Sequence, residues 1–438
     1  MSMRSERPAT LADWLAYLET LHPKSIAMGL DRVRAVARRM NLRLEAPVIT
    51  VTGTNGKGST CALVDSMLRC AGYRVGLYTS PHLLRYNERV VIDGVPASDE
   101  ALVDAFHHVE DARVSGDAQT SLTYFEFGTL AALALFAKTR LDAIVLEVGL
   151  GGRLDAVNIV DADVAVLTSV DLDHLDYLGA TREDIGREKA GIFRSDRPAI
   201  CADANPPRSV IDHAVAIGAR LLRRGVDYGA AEEGGQWRYF GPGGPRFGLP
   251  HPALRGAHQL VNAATAIAAI ACLSPRLAVP VGAIRDGLTR VELPGRFMVL
   301  PGRPTIVLDV AHNPQAARTL ASCLGSMGFH PYTHAVIGML ADKDIDSVIA
   351  AMRPRVDSWF VASLPGARGA SAEQVRQHLV RAAVTSEAIR CFDDVGSAYE
   401  AAADFAGEAD RIVVFGSFLT VAAALARGRP VASSTHLR

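Results

Sequence analysis

The sequence predicts an α/β protein with two domains. Residues 48–60 read VITVTGTNGKGST, where a β-type segment runs directly into a glycine-rich loop and apolar residues follow at helical spacing. Strand-like and helical segments then alternate along the chain, and the same alternation starts afresh near residue 305. This alternation is typical of parallel sheets covered by helices. We therefore expect an N-terminal P-loop-type domain, with a mostly parallel sheet and helices on both faces, and a smaller C-terminal Rossmann-like α/β domain.

The elements of the N-terminal domain follow from caps, periodicity and turn residues. Thr10 and Thr123 are placed to cap helices. The stretch 225–252 is rich in Gly and Pro and is expected to form a twisted β-excursion. The remaining pattern predicts helices at 10–21, 31–40, 122–138, 181–190 and 258–273, strands at 48–52, 73–79, 143–148 and 164–170, and a strand, helix and strand within 198–222.

The bulk composition is that of an ordinary globular enzyme. The 438 residues are 49% hydrophobic and 21% charged, with a net charge of −1, which argues against an extended nucleic-acid surface. No apolar run approaches the length that crosses a membrane. The six cysteines are scattered, without a C-x-x-C pair, and so favour free thiols in a reducing compartment. We expect a cytoplasmic protein whose partners are small molecules, with neither nucleic acid nor membrane among them.

The glycine-rich loop has the residue types that hold phosphates. Its glycines let successive backbone N–H groups converge on an anion, and the start of the next helix adds partial positive charge. Lys57 can reach the β- and γ-phosphates of a nucleotide, and Ser59 or Thr60 can offer a hydroxyl to phosphate or Mg²⁺. The spacing departs from the common P-loop, yet the lysine and the hydroxyls favour phosphate binding over a structural turn. The candidate residues are Gly53, Thr54, Asn55, Gly56, Lys57, Gly58, Ser59 and Thr60.

Three further strand ends carry candidate metal ligands. Ser80 follows the strand at 73–79, and the alternative for it is a turn cap. Glu147 lies near the end of an apolar strand, where a carboxylate is costly unless it is paired or bound to metal. His174 stands among three aspartates, which are either a hard-metal site or a solvated turn. Because parallel strands bind ligands at their carboxyl ends, metal binding is the favoured interpretation beside a phosphate loop.

For several other residues, the spacing in the sequence does not decide between a structural and a functional role. The loop at 22–30 either lines a pocket or anchors the chain to the core, and the second interpretation is favoured. Phe125 packs in the core or stacks on a flat ring, and residues 85–90, which include Arg85, form a charged surface turn or a basic rim for an anion. A helical asparagine such as Asn262 most often faces solvent or a cap. Nothing in the spacing of Lys189 distinguishes it.

The second domain repeats the α/β rhythm. Residues 293–297, LPGRF, interrupt the pattern and predict a hinge. The polar ends of its strands fall at 309–314, 338–344 and 416–418. Its predicted strands are 306–310, 333–337, 358–361, 389–392 and 412–415, and its predicted helices are 314–324, 345–352, 373–380, 395–405 and 419–427.

Ten motifs together resemble the folylpolyglutamate synthase / dihydrofolate synthase family, a branch of the Mur ligase superfamily. They occur in the family's order and cover most of the chain. They are GTNGKGST (53–60), TSPHL-x-RYNERV (79–90), LTYFEF (122–127), LEVGLGGRLDAVNIVD (146–161), DHLDYLG (173–179), IGREKAGIFR (185–194), LPGRF (293–297), DVAHNP (309–314), GMLADKD (338–344) and VFGSF (414–418).

The resemblance implies an ATP-dependent acid–amino-acid ligase. Such enzymes phosphorylate a pterin-linked carboxylate and let the amine of L-glutamate attack the acyl phosphate, so that 7,8-dihydropteroate gives dihydrofolate and folates gain further glutamates. The resemblance also implies an ATP-binding domain with the pterin site at 1–297, a glutamate-ligase domain at 298–438, closure about the hinge, and a monomer. The alternatives are a folylpolyglutamate synthase alone, another Mur-type ligase acting on a cell-wall nucleotide, and, from a different class, a P-loop NTPase switch.

Site residues carry over motif by motif. ATP would be held by residues 53–60 with Asn262, Arg296 and Asp309, and Mg²⁺ by Ser80, Glu147 and His174, with a monovalent cation such as K⁺ as a further candidate ion. Lys189 matches the lysine that is carbamylated in this superfamily. The implied catalytic residues are Lys57, Lys189, His174 and His312. The implied substrate-binding residues are Met28, Gly29, Arg85, Phe125, Arg153, Asp155, Ala156, His312 and Ser417, although Ala27 and Met28 replace a commoner acidic–Leu pair.

Overall fold

A computed structural model describes residues 7–24, 26–115, 119–274 and 276–427. These residues divide into two compact units. The first unit comprises the described residues of Met1–Ala253 and Gln259–Glu292, and the second comprises those of Leu254–His258 and Leu293–Arg438. The predicted boundary at residue 297 stays a prediction. Within the described ranges, every helix is too short or too polar to span a bilayer.

The first unit contains most of the chain and all the elements up to residue 290. Its helices are α1 (Leu11–Thr20), α2 (Asp31–Arg39), α3 (Lys57–Cys70), α4 (Asp99–Val114), α5 (Tyr124–Lys138), α6 (Leu175–Leu178), α7 (Arg182–Ala190), α8 (Arg208–Ile217), α9 (His258–Cys272) and α10 (Val281–Arg290). Its strands are β1 (Val48–Thr52), β2 (Val75–Tyr78), β3 (Val90–Ile92), β4 (Val95–Pro96), β5 (Ala143–Glu147), β6 (Val164–Leu167), β7 (Pro198–Cys201), β8 (Arg220–Arg223), β9 (Gly229–Glu233), β10 (Gln236–Phe240) and β11 (Arg246–Leu249).

Side-chain caps fix where several helices begin. Thr10 and Thr123 each accept a hydrogen bond from the backbone N–H three residues later, as predicted, and Thr181 does the same at α7. The sequence interpretation missed α4, although Ser98 caps it and two acidic residues occupy its first turn. Those residues are the ordinary signal of a helix start, and they could have predicted it.

The central sheet of the first unit has eight strands in the order β4-β3-β2-β5-β1-β6-β7-β8. The six strands from β2 to β8 in that order are parallel, and β3 and β4 add an antiparallel edge. The chain leaves β1 for β2 across β5, so the crossover directions change beside β1. Ligands bind at the carboxyl ends of strands at such a point, and the glycine-rich loop follows β1 there.

Burial agrees with a sheet that is covered on both faces. Every residue of β1 and β5 is buried, as the near-continuous apolar runs predict for parallel strands. Helix α3 is packed tightly against α10, because a Cβ on Gly287 would lie 2.6 Å from the Cα of Met67, and Ser66 Oγ donates to the Gly287 carbonyl at 2.9 Å. The helix that follows the loop is therefore held on a rigid frame. The predicted β-excursion is the antiparallel sheet β11-β10-β9.

The second unit is a smaller α/β domain with a six-stranded sheet in the order β12-β13-β17-β14-β15-β16. All neighbours are parallel except β12, which pairs antiparallel with β13 and which the sequence interpretation missed because only three residues pair. The two-domain α/β fold class is confirmed. The elements are β12 (Met298–Leu300), β13 (Thr305–Leu308), α11 (Pro314–Gly325), β14 (Thr333–Ile337), α12 (Ile345–Met352), β15 (Ser358–Ala362), α13 (Ala372–Arg381), β16 (Ile389–Phe392), α14 (Val395–Phe405), β17 (Arg411–Phe415) and α15 (Phe418–Arg427).

Candidate active site

The glycine-rich loop connects the end of β1 to the start of α3, and two of its glycines are required by their surroundings. Gly53 and Gly56 have φ angles of +151° and +90°, which side chains other than glycine rarely adopt. A Cβ on Gly53 would collide with the Thr168 hydroxyl, and a Cβ on Gly56 would lie 2.9 Å from Asn262 Oδ1. Neighbouring side chains therefore pack directly on the loop backbone and fix its shape.

Hydrogen bonds tie the same loop to the end of β6. Thr54 N donates to the Ser169 carbonyl at 2.8 Å, and Asn55 N donates to Ser169 Oγ at 3.0 Å. In the other direction, Thr168 Oγ1 donates to the Asn55 carbonyl at 2.7 Å. The backbone of the loop is thus held in one conformation by its own sheet.

Lys57 is the first residue of α3, and its ammonium group lies against the loop. Its Nζ donates to the carbonyls of Gly53 at 3.1 Å and Thr54 at 3.4 Å. Gly58 follows it in the first helical turn. The charge of Lys57 and the helix N-terminus therefore coincide, and both favour an anion at this place.

Two hydroxyls and the neighbouring helix α9 complete this end of α3. Ser59 Oγ accepts a hydrogen bond from Gln259 Nε2 at 3.4 Å, whereas Thr60 Oγ1 is buried and has no hydrogen-bond partner among the described residues. A glycine cradle, a lysine and a buried hydroxyl without a partner fit a bound triphosphate.

The position of the Asn262 side chain differs from the one expected from the sequence. The spacing favoured a solvent-facing or capping asparagine, but the side chain is buried on α9. Its Nδ2 donates to Gln259 Oε1 at 2.9 Å, and its Oδ1 lies beside Gly56. Only the fold brings α9 against the phosphate loop, so the periodicity of the helix could not reveal this contact.

Two of the three predicted metal ligands lie together at the carboxyl ends of β2 and β5. Ser80 N donates to Glu147 Oε2 at 3.1 Å, and Glu147 is buried. A serine hydroxyl and a carboxylate are oxygen donors of the kind that Mg²⁺ prefers, and Mg²⁺ usually keeps waters or phosphates as its other ligands. The donor set therefore fits this ion.

The third predicted ligand, His174, immediately precedes α6 and has a φ of +53°. Its backbone N–H donates to Asp173 Oδ1 at 2.9 Å, and its Nε2 is 3.9 Å from the same oxygen. Within the described ranges, no group of three or more His, Cys, Asp and Glu side chains is arranged to hold a metal. The metal role of His174 stays a prediction.

Lys189 lies in the last turn of α7, where the spacing had given no reason to single it out. Its side chain is buried, with 3% of the residue exposed. Burial lowers the pKa of its ammonium group to about 7, the charge of Lys57 lowers it further, and Asp173 and Asp155 oppose the shift. At neutral pH a large fraction of this amine is uncharged and hence nucleophilic.

Asp155 is a second buried ionisable group in this region. Burial raises the pKa of its carboxyl group to about 7, although backbone N–H groups and Lys57 favour the charged form. Leu150 N donates to Oδ2 at 2.8 Å and Val157 N donates to Oδ1 at 3.0 Å. The carboxylate therefore fixes the loop that follows β5.

The predicted pterin-binding residues are divided between this loop and its surroundings. Arg153 Nε and Nη2 donate to Glu188 Oε1 at 3.0 and 2.8 Å, so this guanidinium group already has a carboxylate partner. Ala156 is buried in a short 3₁₀ turn. Gly29 N donates to the Leu154 carbonyl at 3.4 Å, which brings the loop at 22–30 to the same place.

Phe125 and Met28 also meet this loop. The Phe125 ring lies against Gly149, where a Cβ would be 2.6 Å from Cζ, and Met28 Cε would lie 3.8 Å from a Cβ on Gly151. Phe125 is only partly buried, so one part of the ring is accessible. Met28, Phe125 and the segment after β5 therefore lie close together, although the spacing favoured a simple anchor for the loop that carries Met28.

Arg85 lies outside this grouping. Its side chain is exposed, and it pairs with Asp99 at 3.0 Å. The interpretation as a charged surface turn is therefore the one that the structure favours for Arg85, and its substrate role stays a prediction.

Arg89 in the same turn was not singled out from the sequence. Its Nε donates to His82 Nδ1 at 2.8 Å. Its guanidinium carbon lies 5.3 Å from the ring centre of Tyr86 and 5.4 Å from that of Tyr124. Burial, followed by the charge of Arg89, lowers the pKa of His82 to about 4, which leaves the imidazole neutral and able to accept this bond.

In the second unit, Asp309 follows β13 and holds the turn around it. Its carboxylate accepts from Phe297 N and Ala311 N, each at 2.8 Å. Burial raises the pKa of this carboxyl group and the charge of Arg296 opposes the shift. The Arg296 guanidinium carbon lies 4.9 Å from the ring centre of Phe418. Arg296 and Asp309 are therefore neighbours, as expected for two groups that contact one ligand.

His312 and Ser417 lie at the ends of the adjacent strands β13 and β17. His312 Nδ1 bonds to the Val310 carbonyl at 2.9 Å, so Nδ1 carries a proton. The ring is 6.3 Å from that of Phe418. Ser417 is buried, and its Oγ accepts from Leu419 N at 3.1 Å. All four candidates of the second unit share one sheet edge.

The fold and the first unit's site define an α/β enzyme of the P-loop class. Family models match at 51–270 for the Mur ligase middle domain and at 295–418 for the Mur ligase glutamate ligase domain. A curated relative from Escherichia coli (strain K12), a dihydrofolate synthase/folylpolyglutamate synthase, is 48% identical over 413 residues and covers 94% of each chain. The chain belongs to the dihydrofolate synthase/folylpolyglutamate synthase family of Mur ligases, and the predicted resemblance is confirmed.

Solved structures agree with this assignment. The structure described as E. coli FolC in complex with DHPP and ADP is 47% identical, has a TM-score of 0.89, and matches 95% of this chain and 97% of its own. A bifunctional folylpolyglutamate synthase/dihydrofolate synthase with Mn, AMPPNP and L-glutamate bound is 46% identical, with a TM-score of 0.87 and coverage of 95% and 98%.

Proposed function

We propose that this chain is an ATP-dependent ligase that adds L-glutamate to 7,8-dihydropteroate, giving dihydrofolate, and to folate (poly)glutamates, through an acyl phosphate. The observation that carries the proposal is the phosphate loop with Lys57 on the same sheet edge as the Ser80–Glu147 pair. The molecules bound in the two related structures, DHPP and ADP in one and Mn, AMPPNP and L-glutamate in the other, support the same chemistry.

The residues of the first unit supply charge neutralisation. A carboxylate is a poor electrophile, so it must be activated before an amine can attack it. The backbone N–H groups of the loop and the Lys57 ammonium would bind phosphate oxygens and stabilise the charge that develops during transfer. Ser80 and Glu147, with His174, would hold Mg²⁺, which neutralises phosphate charge when it is bound.

Lys189 has a separate proposed role. An uncharged amine can attack the carbon of CO₂ and release a proton to solvent, which leaves an anionic carbamate at a position where a protonated lysine would be a cation. The lowered pKa of Lys189 supports this modification, because it increases the uncharged fraction at neutral pH. A carbamate would also relieve the unfavourable interaction between two lysine charges, Lys57 and Lys189.

The second unit would contribute residues that bind ATP and glutamate. Arg296 and Asp309 are proposed to contact ATP, and His312 and Ser417 are proposed to lie near the incoming glutamate. Their shared position at the ends of β13 and β17 supports this division. We further propose that the enzyme acts as a monomer in the cytoplasm.

Phosphate release and product mass test the function together. Purified protein would receive ATP, Mg²⁺ and L-glutamate, with 7,8-dihydropteroate in one reaction and a reduced folate monoglutamate in the other. Amide products in both reactions support the bifunctional enzyme. A product from the folate alone reduces the proposal to a folylpolyglutamate synthase, and phosphate release without any amide would replace it with an NTPase.

A further inference from the structure

Several contacts in the turn between β2 and β3 hold the guanidinium group of Arg89 in one position. Arg89 is half-buried, and its Nε is fixed by His82 Nδ1 at 2.8 Å. The rings of Tyr86 and Tyr124 lie on it at 5.3 and 5.4 Å. Its backbone carbonyl accepts from Thr79 N at 3.0 Å. The side chain is therefore rigid, and rigidity reduces the entropy that a ligand contact would cost.

Arg89 nevertheless has no carboxylate partner among the residues that the structure describes, and its two Nη atoms make no hydrogen bond there. The acidic neighbour, Glu88, is occupied, because its carboxylate accepts the backbone N–H groups of Leu83, Leu84 and Arg85 at 2.7 to 2.8 Å. The turn therefore uses the Glu88 carboxylate to hold its own backbone rather than to neutralise Arg89.

Two other partly or fully buried arginines of the first unit are neutralised by carboxylates. Arg113 pairs with Glu110 at 2.6 Å, and Arg32 pairs with Glu126 at 2.9 Å. A guanidinium group that is withdrawn from water without a counter-charge is costly. Its planar fork matches a carboxylate with two parallel hydrogen bonds. The chemistry that would satisfy Arg89 is thus a carboxylate that comes from outside the chain.

The position of Arg89 indicates which carboxylate this is. Its turn also carries the candidate metal ligand Ser80, and its stacking partner Tyr124 precedes Phe125, which lies in the proposed pterin-binding region. A dihydropteroate has one carboxylate, which reacts. A folate monoglutamate has two on its glutamate, so one does not react and needs a partner of its own.

We propose that Arg89 binds the non-reacting carboxylate of the glutamate that a folate substrate already carries. This inference rests on the proposed ligase function and adds a residue that distinguishes the two substrates. Arg89 makes two hydrogen bonds to folates through its Nη atoms and none of these to dihydropteroate.

The test is steady-state kinetics of Arg89→Gln with both substrates. We expect KM for the folate monoglutamate to rise about tenfold or more, as loss of a charge-assisted pair predicts, and KM for dihydropteroate to change less than about threefold. Arg89→Lys keeps the charge without the fork and should recover part of the folate affinity. Arg390→Gln is the matched control, because Arg390 also lies over two rings, those of Phe405 at 4.2 Å and Phe360 at 5.3 Å, in the second unit.

The kinetic results distinguish a folate-binding role of Arg89 from a structural one. Equal losses with both substrates, or no loss with either, would overturn the inference and leave Arg89 a structural residue. If Arg89→Gln does not fold, the unaltered enzyme is assayed with a folate analogue whose non-reacting carboxylate is an amide, and an unchanged KM overturns the inference. Absence of any amide product from the unaltered protein would instead contradict the proposed function itself.

Discussion

The two ends of the parallel strands in the eight-stranded sheet differ in how they hold charged residues. We call the amino-terminal ends of these strands the amino edge and their carboxyl-terminal ends the carboxyl edge. At the amino edge, Asp163 accepts from Val48 N at 2.9 Å and pairs with Arg197 at 2.9 Å and Arg276 at 3.2 Å. These groups line an open groove of about 780 Å³ beside the start of β1. The charges there are matched, and both arginines remain largely in water.

At the carboxyl edge, charged groups are buried at a cost. Lys189 and Asp155 are 3% and 4% exposed, and the pKa of each is moved to about 7 by burial. Such shifts mean that the folded protein disfavours the charged forms. Paired charges therefore line the groove at the amino edge, whereas the charges that burial disfavours lie at the edge with the proposed ligand-binding residues.

Among the substitutions that compare the two edges, Lys57→Ala should cause the largest loss of ligation activity. We expect kcat for ligation to fall by about 10³-fold or more, because the variant removes a positive charge aimed at the phosphates. The protein should still fold, since the hydrogen bonds of the Lys57 ammonium group are to the Gly53 and Thr54 carbonyls of the loop. Product formation is measured by mass and folding by thermal unfolding. Ligation at the normal rate would refute the assignment of the phosphate loop.

Lys189→Ala should have the next largest effect. We expect activity to fall by about 10²-fold or more, because a carbamate needs the amine nitrogen. If a carbamate is present, a small carboxylic acid added to the assay should restore part of the activity of Lys189→Ala but none of that of Lys57→Ala. An intact mass with an unmodified Lys189 in active enzyme would contradict this role.

The architecture was accessible from sequence because it depends on local signals. Apolar runs, threonine caps and glycine turns predicted most strands and helices. The strands β12 and β4 were missed because they are short, whereas the regular helices α4 and α10 were overlooked. A strand of two or three residues leaves too little alternation to read. The phosphate loop was also accessible, since its residues are contiguous.

The rest of the site depends on contacts between distant segments. Asn262 approaches Gly56 only because α9 packs beside α3, and the spacing of Lys189 on its helix says nothing about its burial. For these two residues the resemblance to a family supplied what periodicity could not. The sequence placed Arg89 only within a segment, 85–90, that was either a charged surface turn or a basic rim for an anion. Its proposed role depends on the absence of a carboxylate partner, which no sequence pattern displays.

A smaller effect is expected on stability when the buried charge is removed. The pKa of Lys189 is about 7 in the folded protein, against an ordinary value of 10.5. Between these values the unfolded chain binds a proton that the folded protein lacks, so the penalty is full below pH 7 and disappears as pH rises towards 10.5. Lys189→Met should therefore raise Tm at pH 6.5 by about 5 °C or more, and by much less at pH 10.

Thermal unfolding in bicarbonate-free buffer measures this difference. Lys138→Met is the control, since Lys138 is exposed at the end of α5, and its effect should not depend on pH. A gain for Lys189→Met that is the same at both pH values would show that burial does not disfavour the ammonium form.

The smallest effect should come from the amino edge. Arg197 is 55% exposed and shares Asp163 with Arg276. Exposed ion pairs contribute little, so Arg197→Gln should cost about 0.5 kcal/mol or less, and kcat/KM should stay unchanged because no proposed site residue lies at this edge. Thermal unfolding and the ligation assay test the two statements separately. A loss of activity greater than about threefold without a matching loss of stability would mean that the amino edge is coupled to the ligand-binding edge, and the contrast between paired and buried charges would then no longer identify the site.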